Sequence, residues 1–264
     1  MSKIHPIKRL GQNFLIDKNI VKKVIKTANL KKKDVVLEIG PGLGALTKKM
    51  SKLAKKVIAV EKDPRMYKIL KENLRGFRNL KIINEDILKP TENCSRQYCR
   101  EQFSVVANLP FYITAPVIRR FLESENPPKE MILVVQKEVA QRICSNPPKT
   151  NLLAVSVQFY AKPEIISYIP RKSFWPSPKV DSAIIKIVPR QFRVPVSRQF
   201  RERFFRIVKA GFTHPRKQLA NNLAEMLKLD KRKVNSLLIK NNIQPTQRAE
   251  TLTTDDWLRL TKVL

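Results

Sequence analysis

Apolar residues along the first two thirds of the chain follow two alternating patterns. Amphipathic helices are predicted where apolar residues recur at spacings of three and four. Strands buried on both faces of a sheet are predicted by short, nearly continuous apolar runs at 34–40, 56–63, 80–86, 103–108 and 131–136. Strands that alternate with helices in this way predict a parallel, doubly wound α/β sheet.

The rest of the chain shows a different pattern. Two apolar segments, 153–166 and 180–190, predict a last pair of strands at the antiparallel end of the sheet. From residue 191 onward no strand pattern recurs, and four short helical segments follow instead. We therefore expect an α/β domain over residues 1–190 and a small, basic, all-helical domain over residues 191–264.

The charge of the chain indicates its partner. The sequence holds 53 Lys and Arg against 22 Asp and Glu, a net charge of +31. Both ends are basic, with ten Lys and Arg and one acidic residue in 1–33, and seventeen and six in 190–264. Such an excess indicates a polyanion, and the sequence lacks the aromatic, amphipathic basic helix that a membrane surface would require. Nucleic acid is favoured, and we expect Arg216 and Lys217 in the basic C-terminal end to contact it.

Several classes of protein are disfavoured by what the sequence lacks. It contains no run of about 18 apolar residues, and its first 15 residues lack the pattern of a secretory signal. Its three cysteines form no CxxC pair, and its two histidines lie far apart, so we expect reduced thiols and no metal site. These features predict a cytoplasmic protein without a metal, and we expect a monomer.

The first predicted strand ends in a glycine-rich turn within LEIGPGLGALT, at 37–47. Glycines there allow a ligand to approach the backbone, because no Cβ stands in the way. Gly40, Gly42 and Gly44 follow Glu38 in a spacing one residue shorter than the dinucleotide fingerprint G-x-G-x-x-G, so pyrophosphate is not the expected ligand. Tight strand-to-helix turns also use glycine for structural reasons, and this alternative stays open.

Carboxylates follow the next two predicted strands. Glu61 lies about twenty residues after the first glycine, where a carboxylate can accept both ribose hydroxyl groups of a nucleoside. Asp86 ends the third strand, where it can accept a hydrogen bond from an adenine amino group. Ligands of open α/β sheets bind at the carboxyl ends of the strands, so these groups predict one pocket for an adenosine without phosphates. S-adenosylmethionine fits that description.

The fourth strand ends in Asn108, Leu109, Pro110 and Phe111. The 6-amino group of adenine is a poor nucleophile, because its lone pair is delocalised into the ring. Two fixed acceptors, the Asn108 side-chain oxygen and the Leu109 carbonyl, can hold its hydrogens and direct the lone pair at a sulfonium methyl group. Pro110 stiffens the turn, and Phe111 offers a flat face to a base that leaves its stack. A strand-terminating turn is the alternative for these residues taken alone.

The sequence also resembles a known family, the ribosomal RNA adenine dimethyltransferases of the small-subunit type. The resemblance extends over nearly the whole chain. It rests on RLGQNFLID (9–17), LEIGPGLGALT (37–47), AVEKD (59–63), NEDIL (84–88), NLPFYIT (108–114), FWPSPKVDSAII (174–185), PRKQLANNL (215–223) and RAETLTTDDWLRL (248–260).

This resemblance implies a Rossmann-like class I S-adenosylmethionine-dependent methyltransferase sheet with a small C-terminal helical domain. It implies that 1–190 binds the cofactor and that 191–264 binds RNA. The target adenine would lie between Phe111 and Phe174, with its amine held by Asn108 and Leu109. The implied cofactor contacts are Asn13, Leu15, Gly40, Glu61, Asp86 and Asn108, with Gln12 at the cofactor's edge. The glycine-rich turn predicts Gly42 as a further contact.

The implied reaction transfers two methyl groups to each of two adjacent adenosines in the hairpin loop near the 3′ end of small-subunit rRNA. The implied partner is a partly assembled small ribosomal subunit, recognised by RNA shape. Phe111 departs from the family, which usually has Tyr at this position, so any role of that hydroxyl group is absent here. The segment 91–102 matches nothing in the family.

Two alternatives remain from the sequence. The large-subunit rRNA dimethyltransferases of macrolide resistance share the glycine turn, the N-x-P-aromatic motif and the F-x-P-x-P-K-V segment, but 215–223 and 248–260 resemble the small-subunit type. A non-catalytic assembly or transcription factor on the same scaffold is the second alternative. Intact Asn108, Glu61 and Asp86 argue against it.

Overall fold

The chain is described by a computed structural model over residues 5–7, 10–89, 101–190 and 197–264. A seven-stranded sheet in the order β4-β3-β2-β5-β6-β9-β7 forms its centre. A separate two-stranded ribbon is formed by β1 and β8. The strands are β1 Phe14–Leu15, β2 Val35–Ile39, β3 Lys56–Glu61, β4 Leu80–Asn84, β5 Phe103–Asn108, β6 Met131–Gln136, β7 Ala161–Ile169, β8 Phe174–Trp175 and β9 Ser182–Pro189.

The five strands predicted from the apolar runs are present, and they are parallel. β2 lies between β3 and β5, and every residue of β2 is buried, as its continuous apolar sequence requires. β6 pairs in parallel with β5 and antiparallel with β9, so the antiparallel end of the sheet is also confirmed. The fold is the α/β class predicted from the sequence.

Helices follow the parallel strands at the positions that their capping residues predict. Asp63 caps α3 and Pro64 occupies its first position, a position where the missing N–H costs nothing. Asp17 caps α1 by accepting hydrogen bonds from the amides of Asn19 and Ile20. The helices of this part are α1 Lys18–Ala28, α2 Ala45–Met50, α3 Pro64–Asn73, α4 Thr114–Leu122 and α5 Lys137–Ile143.

The two-stranded ribbon brings two distant segments of the chain together. Phe14 pairs with Trp175, and Leu15 pairs with Phe174, in antiparallel register. The amide groups of Ile16 and Asp17 add hydrogen bonds to the Ser173 carbonyl. The N-terminal motif around Asn13 therefore lies against the F-W-P segment, although about 160 residues separate them.

The chain divides into two compact units. One holds residues 1–140 and 162–189, and the other holds 141–161 and 190–264. The helices of the second unit are α6 Leu152–Tyr160, α7 Arg198–Phe212, α8 Leu219–Leu227, α9 Lys231–Lys240 and α10 Thr254–Val263. The four helices predicted after residue 191 are thus present, but the segment 141–161, which we had assigned to the first domain, packs with them.

The strand predicted over 153–166 is wrong in its first half. Leu152–Tyr160 is a helix, capped by the Asn151 side chain, and the strand begins only at Ala161. Val155 and Phe159 of this helix are buried in the core of the second unit, against residues such as Phe204. A helix whose residues are apolar on nearly all sides reads as a continuous apolar run, which periodicity does not distinguish from a buried strand.

Candidate active site

A cavity opens at the carboxyl edge of the parallel sheet, where β2, β3, β4 and β5 end side by side. This is the edge at which open α/β sheets bind their ligands. All twelve residues predicted for the cofactor and the target base line this cavity. They are Gln12, Asn13, Leu15, Gly40, Gly42, Glu61, Asp86, Asn108, Leu109, Pro110, Phe111 and Phe174.

The glycine turn after β2 has a conformation that side chains rarely adopt. Gly40, Gly42 and Gly44 have φ values of 63°, 56° and 78°. A Cβ atom at Gly42 would lie 2.8 Å from Cδ1 of the Phe14 ring, so the ring occupies the space that a side chain would need. The missing side chain thus makes room for the Phe14 ring at Gly42, whereas the space beside Gly40 stays open, with Pro110 Cδ 3.9 Å from where a Cβ would lie.

Glu61 ends β3 with its carboxylate buried at the cavity wall. Its Oε1 accepts a hydrogen bond from the Asp63 amide at 2.8 Å, and its Oε2 accepts one from the Gly42 amide at 3.2 Å. Burial raises the pKa of this carboxyl above its ordinary value, and the two amide donors oppose that rise. Each oxygen keeps further acceptor capacity towards the cavity, because a carboxylate has about four lone-pair sites.

A second carboxylate, Asp63, anchors the N-terminal segment to this wall. It accepts two hydrogen bonds from the Arg65 guanidinium and one from Nε2 of Gln12 at 2.9 Å. Hydrogen bonding to Arg65 lowers the pKa of Asp63 to about 2. The Gln12 side-chain oxygen accepts from the Ile7 amide at 2.8 Å. The Gln12 side chain therefore links Ile7 to Asp63, while Gln12 also lines the cavity.

Glu38, the second-to-last residue of β2, is the most deeply buried carboxyl of the cavity wall. Burial raises its pKa to about 8, and the nearby Glu61 charge adds to the rise. Its Oε2 has no hydrogen-bond partner among the described residues. Interactions with Thr47 oppose the rise, and the net raised pKa favours the protonated carboxyl at neutral pH.

Asp86 follows β4 on the next wall of the cavity. Its carboxylate lies 2.9 Å from the Lys62 ammonium and accepts a hydrogen bond from the Leu88 amide at 3.0 Å. Partial burial acts to raise its pKa, but the hydrogen bonds from Lys62 and Leu88 outweigh burial, so the pKa lies below its ordinary value. Asp86 is therefore ionised at neutral pH and available as an acceptor.

The orientation of the Asn108 side chain is set by the N-terminal segment. Its Nδ2 donates a hydrogen bond to the Asn13 carbonyl at 2.8 Å. Its Oδ1 accepts none from the described residues, and neither does the Leu109 carbonyl. Two acceptors from neighbouring residues thus border the cavity with their lone pairs unused.

Two aromatic rings lie on the walls of the same cavity. Phe111 begins a single 3₁₀ turn, Phe111–Ile113, which follows the extended Pro110 and is closed by a hydrogen bond from the Ile113 amide to the Pro110 carbonyl. Phe174 comes from the ribbon, where its pairing with Leu15 fixes its position, and it is 4% exposed. The rings that were predicted to hold the base are therefore in one cavity.

Some residues of the cavity were not predicted from the sequence. Phe14 and Tyr112 were not predicted to take part, and Glu38 was noted only as part of the turn. Asp63 does not line the cavity, but its contact with Gln12 was not predicted either. Phe14 and Tyr112 each stand beside a predicted residue within a motif, and that adjacency is the signal that was available.

The predicted RNA contacts lie in the second unit. Arg216 and Lys217 are exposed, between α7 and α8. Lys217 forms an ion pair with Glu225 at 3.1 Å. These residues do not line the cavity. Their contact with RNA remains a prediction.

Three further expectations concern sites other than the cavity. Cys144 is a thiol, whereas Cys94, Cys99 and nearly all of the segment 91–102 lie outside the described residues. Within the described ranges, no three His, Cys, Asp or Glu side chains are grouped as a metal ion would require. No helix in those ranges is long and apolar enough to span a membrane.

Known proteins resemble this chain over almost its full length. A model of the family "Ribosomal RNA adenine dimethylase" matches residues 4–264. A Dehalococcoides mccartyi (strain CBDB1) protein named ribosomal RNA small subunit methyltransferase A is 43% identical over 255 residues, which cover 96% of this chain and 86% of that protein. A Geobacillus sp. (strain WCH70) protein of the same name is 38% identical, with 97% of this chain and 91% of that protein covered.

Solved structures show the same fold. A dimethyladenosine transferase from Plasmodium falciparum superposes with a TM-score of 0.79 at 27% identity, covering 94% of this chain and 95% of that one. The 23S rRNA methyltransferase ErmE superposes with a TM-score of 0.76 at 29% identity, covering 95% and 98%. The chain therefore belongs to the ribosomal RNA adenine dimethylase family, and it is a methyltransferase that acts on adenine in ribosomal RNA.

Proposed function

We propose that this enzyme uses S-adenosylmethionine to dimethylate two adjacent adenosines in the 3′-terminal hairpin loop of small-subunit rRNA. The observation that carries the proposed chemistry is the pair of unused acceptors, Asn108 Oδ1 and the Leu109 carbonyl, at the wall of the cavity. The small-subunit target is supported by relatives of that name at 38% and 43% identity, against 29% for the 23S enzyme.

The residues around the cavity fit S-adenosylmethionine. The bare backbone at Gly40 allows close approach, and the Glu61 carboxylate suits ribose hydroxyl groups. Ionised Asp86 suits the adenine amino group as an acceptor. When bound, this cofactor supplies an electrophilic methyl group on a positively charged sulfur.

Asn108 and Leu109 act on the nucleophile. Their two oxygens accept the hydrogens of the 6-amino group, which favours a tetrahedral nitrogen and localises its lone pair. The hydrogen bond from Asn108 Nδ2 to Asn13 fixes which end of the amide faces the cavity, so the acceptor is oriented before the substrate arrives. In the second methylation one hydrogen remains, and a single one of these acceptors holds it.

The rings of Phe111 and Phe174 hold the target base. An adenine inside a helix cannot reach the cavity, so it must leave its stack, and an aromatic face replaces part of the stacking energy that is lost. Phe111 keeps this face although the hydroxyl of the family's usual Tyr is missing. Basic surfaces at both ends of the chain supply the phosphate contacts. We further propose that the enzyme works as a cytoplasmic monomer and needs no metal.

Methyl transfer to isolated ribosomal subunits tests this proposal. Purified enzyme and radiolabelled S-adenosylmethionine are incubated with undermethylated small subunits and, separately, with large subunits, and mono- and dimethyladenosine are quantified after digestion. We expect label in dimethyladenosine of the small subunit. Label confined to the large subunit would favour the 23S-type alternative, and absence of transfer to either subunit would contradict catalysis.

Two variants of Phe111 test the role assigned to this ring in the same assay. Phe111→Ala should lose activity by about 5- to 150-fold, because stacking of a base on an aromatic ring contributes roughly 1 to 3 kcal/mol. Phe111→Tyr keeps the ring and should stay close to parental activity. Robust activity in Phe111→Ala would show that this ring is packing and does not hold the base.

A further inference from the structure

A third aromatic side chain, Tyr112, borders the cavity and is largely in solvent. It directly follows Phe111, lines the cavity and is 54% exposed. One edge of its ring lies beside Gly11, where an added Cβ atom would be 3.6 Å from its Cδ1. Gly11 has a φ of 60°, a conformation that favours glycine. The ring is therefore supported on one side and open on the other.

Trp175, in strand β8 of the two-stranded ribbon, is placed next to Phe174 as Tyr112 is placed next to Phe111. It directly follows Phe174 and is 44% exposed. Its ring stacks on Phe14, with ring centroids 6.0 Å apart and 22° between the planes, and Phe14 itself lines the cavity. Each ring expected to hold the target base is thus followed in the chain by a supported ring that faces solvent.

Neither of these two exposed side chains forms a hydrogen bond or a cation contact with the described residues through its solvent-facing part. The Tyr112 hydroxyl and the Trp175 indole N–H form no hydrogen bonds with the residues that the structure describes. Tyr168, which is 50% exposed, offers a contrast, because the Lys137 ammonium lies 5.4 Å from its ring centroid. A cation therefore covers the face of Tyr168, whereas no described cation does so at Tyr112 or Trp175.

We propose that Tyr112 and Trp175 are stacking platforms for the nucleotides next to the target adenosine. This inference rests on the function proposed above. When one adenosine leaves its loop, its neighbours lose a stacking partner, and a flat ring beside each wall of the cavity can replace it. Stacking on aromatic rings tolerates any base, so it suits an enzyme that must place two adjacent adenosines in one cavity in turn.

The surroundings favour RNA as the occupant of these rings. Arg171 and Lys172 are exposed and come four and three residues before Trp175 in the chain, so positive charge accompanies that ring in the sequence. The chain as a whole has a net charge of +31. Single-stranded nucleic acid is recognised by this combination of exposed aromatic rings and basic side chains, which hold bases and phosphates respectively.

Alanine and phenylalanine variants at the two positions test the proposal. Tyr112→Ala and Trp175→Ala should each lower kcat/KM for undermethylated small subunits by about 5- to 150-fold, the loss expected for one stacked base. Tyr112→Phe and Trp175→Phe keep a ring and should stay within about threefold of the parent. Tyr168→Ala is the matched control, and it should behave as the parent.

Two binding measurements separate stacking from damage to the cavity. Calorimetry should show parental affinity of the alanine variants for S-adenosylmethionine, and filter retention should show weaker binding of small subunits. Parental kcat/KM in the alanine variants, an equal loss in the phenylalanine variants, or an equal loss of cofactor affinity would each overturn the proposal. If the parent enzyme transfers no methyl group, the proposed function fails, and the filter-retention comparison still decides whether the rings bind RNA.

Discussion

Replacement of Asn108 by alanine gives the most direct test of the active-site geometry. The variant removes the oxygen that we expect to accept a hydrogen of the target amine. That acceptor matters most as the nitrogen becomes tetrahedral, so its loss should slow methyl transfer more than it weakens substrate binding. Loss of one oriented group of this kind costs about 2.7 to 4 kcal/mol in the transition state, which corresponds to about 100- to 1,000-fold in rate.

The structural cost of the same replacement is smaller. Asn108 loses one hydrogen bond, from Nδ2 to the Asn13 carbonyl at 2.8 Å, which corresponds to about 1 kcal/mol of folding stability. Asn79→Ala is a matched control. Its Nδ2 donates to the carbonyl groups of Ser51 and Ala54, and Asn79 precedes β4, at the sheet edge opposite the cavity. We expect it to reduce stability at least as much as Asn108→Ala, with little change in rate.

Single-turnover methylation of undermethylated small subunits measures the rate, and urea unfolding measures the stability of each variant. Calorimetric binding of S-adenosylmethionine confirms that the cavity is intact. Parental single-turnover rates in folded Asn108→Ala would refute the proposed alignment of the amine. An equal rate loss in Asn79→Ala would show that the effect comes from general destabilisation of the sheet.

Three further predictions concern the cofactor, pH and RNA. Glu61→Ala should weaken S-adenosylmethionine binding by roughly 1 to 3 kcal/mol, and unchanged affinity in calorimetry would remove Glu61 from the site. The pKa of Glu38 is raised from 4.5 to about 8 in the folded state. The protonated Glu38 carboxyl therefore makes its full contribution to the free energy of unfolding below about pH 4.5, and that free energy falls by about 1.4 kcal/mol per pH unit as pH rises from there through 8. Glu38→Gln should remove that loss in urea unfolding of the free protein, and a parental pH dependence would contradict the shift. Neutralising Arg216 and Lys217 together should lower the slope of log affinity for small subunits against log salt by about 0.7 to 0.9 per lost phosphate contact; an unchanged slope would mean that they face solvent.

Much of this enzyme could be predicted from the sequence, because short local patterns determine its strands and helices. The five apolar runs become strands, and β2, β3, β5 and β6 are almost wholly buried, as continuous apolar runs predict. β4 lies at the edge of the sheet and is only partly buried. Once the strands are parallel, their carboxyl ends share one edge, so Gly40, Glu61, Asp86 and Asn108 converge on one cavity. The second unit's four helices after residue 191 follow from their periodicity in the same way.

Features that depend on distant pairing could not be predicted in this way. The Phe14 to Trp175 register and the Asn108 to Asn13 hydrogen bond join residues far apart in the chain, and no local pattern specifies which segments meet. The helix Leu152–Tyr160 was mistaken for a strand, because apolar residues on most of its sides remove the periodicity that would identify it. The pKa of Glu38 likewise depends on the depth of its burial and on the nearby Glu61, which only the packed sheet brings about.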